Sequence, residues 1–100
     1  MKKMKKRLID LIDLANNLCL EFTDQKVEYK ILDACIKNFK ALQLEFSKPE
    51  QPKPETIQNI SYGLVRAHQA MGSLRDTAFG KELGKLLLEL NDYSKTIIAN

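Results

Sequence analysis

His68 is the single histidine of this 100-residue chain, so its ring is the only imidazole that could take a proton at neutral pH or hold a metal. It falls on a line of apolar residues, and neither Cys19 nor Cys35 stands at ligand spacing from it. That placement suits a core or boundary histidine. The two cysteines show no local pairing with it, and the chain has no Gly-rich phosphate loop and no nucleophile elbow. No metal, cofactor or small-molecule substrate is expected from these residues, and no enzyme.

The elements that would hold these residues are helical. Leu8, Leu11, Ile12, Ala15, Leu18, Cys19 and Phe22 step by three and four and predict a helix over about 4–22. Thr23-Asp24 breaks the pattern, with Asp24 placed to cap a second helix over about 26–46. Ile31, Cys35, Phe39, Leu42 and Phe46 form its inner line, widened by Val27, Leu32 and Ile36, with an Asp33–Lys37 pair outside. Ser47 to Pro54 carries three prolines and cannot continue a helix. Pro54 suits the first turn of a third helix over about 55–72, whose inner set is Ile57, Ile60, Leu64, Ala67, His68 and Met71. Asp76 is the expected cap of a fourth helix over about 77–97, with Phe79, Leu83, Leu86, Leu87, Leu90, Tyr93 and Ile97 inward. Short connections make neighbours antiparallel, which predicts one all-α domain over 1–100, an up-down-up-down four-helix bundle.

A turn between the first two helices would leave Cys19 and Cys35 offset by roughly 9 Å along the axis. That is too far for a disulfide, so both are expected as buried thiols.

Charge is mixed, with 16 Lys and Arg against 13 Asp and Glu. Lys2, Lys3, Lys5, Lys6 and Arg7 gather at one end, and without them acidic residues outnumber basic ones. A basic tip on a nearly neutral body is not the broad basic face of a nucleic-acid binder. Positive charge at a helix N-terminus opposes the macrodipole, so the first residues are expected to fray. The tip could be drawn to anionic lipid or an acidic partner. Asp10, Asp13, Asn16 and Asn17 interrupt the apolar run that a signal peptide would need. No stretch reaches the roughly 18 apolar residues of a membrane span. A cytoplasmic protein, with contact at the inner membrane face, is the expectation.

Asn59, Tyr62, Arg66, Gln69 and Ser73 step along the outer side of the third helix, and Tyr with Arg on one stripe is the residue choice of contact surfaces. Candidate partner contacts are Tyr62, Arg66, Gln69, Arg75, Tyr93 and Ile98. Gly80 and Gly84 lie one turn apart in a helix, where each costs about 1 kcal/mol relative to alanine. Either close packing or a soft, adaptable second half would explain them.

Arg7-x-x-Asp10-x-x-Asp13, with Ile12-Asp13, resembles the opening of helical chorismate mutases, which bind a dicarboxylate through inward-facing cations. Arg7, Arg66 and Arg75 are the only arginines here, and Glu21 stands where another cation would help. Arg7 and Arg66 on one cavity would be the signature of that reading.

Across nearly its whole length the chain resembles the immunity proteins of pediocin-like (class IIa) bacteriocins, the enterocin A immunity group. The resemblance lies in the Lys-rich start, the proline-marked loop before Ile57-x-x-Ile60-x-x-x-Leu64-Val65, and Glu82-Leu83-x-x-Leu86-Leu87-x-x-Leu90 in the last helix. It implies a cytosolic, non-enzymatic protein that protects a Gram-positive cell from a pore-forming peptide. The implied partner is the bacteriocin's receptor, the membrane components of a mannose-type sugar transporter. The second half of such proteins is held to decide which bacteriocin is resisted, and here that region is the third helix onward. Only a few residues follow the fourth helix, so no role for a long tail carries over. A helical regulatory module, such as an antitoxin or phage-type regulator, is the alternative.

Overall fold

The computed structural model describes the backbone of residues 2–99 and the side chains of residues 3–95. Four helices run along the chain: α1 (Lys2–Cys19), α2 (Val27–Ser47), α3 (Pro54–Ala70) and α4 (Ala78–Ala99). A 3₁₀ helix, Gly72–Asp76, joins α3 to α4. Consecutive helices pack on one another and α4 closes against α1, giving an antiparallel four-helix bundle of 44 × 22 × 20 Å. Helices of about 20 residues at 1.5 Å per residue account for roughly 30 Å of that long axis.

The apolar stripes meet inside as their spacing predicts. Leu8, Leu11 and Ala15 of α1 are buried, with Ile57, Leu64, Ala67 and Met71 of α3 and Phe79, Leu83, Leu86 and Leu90 of α4. In α2 the fully enclosed line is Leu32, Cys35, Phe39 and Leu42, with Phe46 beyond, and Ile31 is only half-buried. The inner face of α2 is thus centred one residue later at its start than expected. Val27, expected to widen that face, is 65% exposed, because it opens α2 at the end of the bundle. Phe39 meets Phe79 edge to face at 6.1 Å between ring centres, which ties α2 to α4 through the core. The Asp33–Lys37 pair forms outside at 3.1 Å.

The boundaries carry several corrections. α1 begins at Lys2, so its backbone is helical where fraying was expected. Leu8, Leu11 and Ala15 are fully enclosed and anchor this helix against the core. α1 also ends earlier, at Cys19. Leu20, Glu21 and Phe22 donate to the carbonyls three residues back, which tightens the chain out of the α-helix. Asp24 does not cap α2: Lys26 occupies that position without a side-chain bond.

Pro54 stands in the first turn of α3 as expected. α3 stops two residues sooner than expected, at Ala70, and Gly72 turns the chain at φ 59°, a left-handed conformation natural to glycine. Leu74 of the 3₁₀ helix is buried. Asp76 does not cap α4 either. Thr77 does so: its Oγ1 accepts from Gly80 N at 3.2 Å and donates to the Leu74 carbonyl at 2.6 Å.

Candidate functional site

The residues singled out for chemistry do not assemble into a reactive centre. Arg7 is half-buried and brings Nη1 to 2.8 Å from Glu89 Oε1, joining α1 to α4. The N–H is not aimed along the hydrogen-bond direction, so this contact is an ion pair. Arg66 is exposed on α3, and among the described residues it does not line the pocket that Arg7 lines with Lys3, Lys6 and Asp10. The signature of a dicarboxylate site is therefore missing from this pair. Among the described residues no three His, Cys, Asp or Glu side chains converge on a metal position.

Both thiols are free. Burial pushes Cys35 up to about 12, with the neighbouring Cys19 adding to the shift. Cys19 is also raised, by burial first and by the charge of Asp33 second. Thiols held in their neutral form are poor nucleophiles and metal ligands.

A groove of about 380 Å³ lies between α3 and α4. α3 contributes Gln58, Ser61, Tyr62, Val65 and His68, and α4 contributes Gly84, Leu87, Leu88, Asn91 and Ser94. Each set covers about three turns, or roughly 15 Å of helix. No Asp, Glu, Lys or Arg lines it. Ser61 donates to the Ile57 carbonyl at 2.7 Å, so its hydroxyl is already satisfied. Tyr62 and Leu88 form the outer walls and are 59% and 68% exposed. His68 is half-buried beside Gly84 at the floor. Such a surface suits hydrophobic contact with a few neutral hydrogen-bonding groups for orientation.

The two glycines of α4 separate here. A Cβ on Gly80 would strike the Leu74 carbonyl and lie 2.5 Å from Arg75 Cα, so close packing explains that residue. A Cβ on Gly84 would meet only His68 Nε2, at 3.7 Å, an ordinary contact. Gly84 therefore opens the groove without being needed by the fold.

The candidate contact residues scatter. Tyr62, Arg66 and Gln69 are exposed on the outer side of α3, but only Tyr62 reaches the groove. Arg75 is exposed in the 3₁₀ helix. Tyr93 is turned inward, edge to face with Phe46 at 5.4 Å. Burial raises its phenol, and Gln51 nearby opposes the shift without completing a hydrogen bond. The side chain of Ile98 lies outside the described residues. At the basic tip Lys3, Lys5 and Lys6 are exposed, Arg7 is committed to Glu89, and the Lys2 side chain lies outside the described residues. Glu89 stands midway along the groove-lining stretch of α4, next to Leu88 in sequence, so the Arg7 pair reaches the helix that walls the groove.

Periodicity missed Val65, Gly84 and Leu88 as site residues. The signal was Leu86-Leu87-Leu88, three consecutive leucines that one helical stripe cannot all bury. No helix of the described residues is long and apolar enough to cross a membrane. No protein-family model, curated protein or solved structure matches this chain.

Proposed function

We propose that this chain protects a cell from a pore-forming class IIa bacteriocin, by binding a partner protein through the α3–α4 groove at the inner membrane face. The observation that carries the surface is the uncharged groove, walled by exposed Tyr62 and Leu88, in the half of the chain where the resemblance puts specificity. The partner class comes from the resemblance of the Lys-rich start, the proline-marked loop and the leucine-rich last helix. The receptor's membrane components, those of a mannose-type sugar transporter, are the protein it meets.

The basic tip fits this role. Lys3, Lys5 and Lys6 would each gain about 1 kcal/mol near an anionic leaflet. Arg7 pairs with Glu89, beside the groove wall Leu88, so that attraction would hold α4 near the membrane surface.

The test is expression in a sensitive strain followed by challenge with a panel of pediocin-like peptides. Survival against at least one peptide is the expected result. Unchanged killing by all of them would overturn the assignment and favour a helical regulatory module.

A further inference from the structure

We draw no further inference here: the strongest candidate, the apolar groove between α3 and α4, is flanked on α4 by Lys81, Lys85 and Lys95 against Glu82, Glu89 and Asp92, so its charges balance and nothing in the structure shows what covers it.

Discussion

Gly84 and His68 face one another across the α3–α4 groove, and a Cβ built on Gly84 would stop 3.7 Å from His68 Nε2. Gly80, one turn earlier, has no such room, because the backbone of Leu74 and Arg75 fills the space. Two glycines in one helix thus answer to different demands. One lets the 3₁₀ connection pack on α4, and the other leaves a surface open.

Gly84→Ala is expected to raise the free energy of unfolding by about 0.5–1 kcal/mol, through lower chain entropy in the unfolded state. Gly80→Ala is expected to lower it by about 1–3 kcal/mol, since backbone must move. Urea denaturation of both variants checks this. Changes of the same sign would show that the two positions are not distinguished as described.

Thr77 closes the first turn of α4 through Gly80 N. Thr77→Ala should therefore cost about 1 kcal/mol. Asp76→Ala, at an exposed residue that makes no cap, should stay within about 0.5 kcal/mol. Paired denaturation curves decide between the two caps.

Cys35 is held neutral, its thiol raised from 9.0 to about 12 by burial and then by Cys19. A folded-state pKa above the unfolded one contributes stability that is complete below the unfolded value and declines as pH rises toward the folded one. Stability should accordingly fall between about pH 9 and pH 12 more steeply in the wild type than in Cys35→Ala. Thiol labelling at pH 8 should modify half-exposed Cys19 first and reach Cys35 only on unfolding. Equal labelling rates in the folded protein would contradict the buried placement.

The four stripes, the proline break and the helix at Pro54 were legible because each rests on local spacing or on a ring that fixes φ. What escaped depended on neighbours distant in sequence. Whether Ile31 or Leu32 leads into the core is decided by how α2 rolls against α1 and α3, and spacing tolerates either. Asp76 and Thr77 are both good caps, and only the path of the 3₁₀ helix places the threonine at the helix start. The glycine pair announced something unusual in α4, but only the position of Leu74 and Arg75 shows that Gly80 is packed and Gly84 is free. Among the contact candidates, Tyr62 was readable from the outer stripe, whereas Tyr93 turned to Phe46.

Tyr62 and Arg66 are exposed, so removing both side chains should leave thermal stability within about 0.5 kcal/mol. The same double variant, Tyr62→Ala with Arg66→Ala, should weaken protection in the survival assay. Loss of folding would mean that this side of α3 is structural.

The most direct measurement compares survival of a sensitive strain carrying the wild-type chain or Gly84→Leu under the bacteriocin that the wild type resists. A Cβ at 84 meets only one ordinary contact and the rest of a leucine side chain would extend into the trough, so the protein should stay folded while the cells are killed. Survival equal to the wild type, with Gly84→Leu present at the same level, would contradict the groove as the working surface.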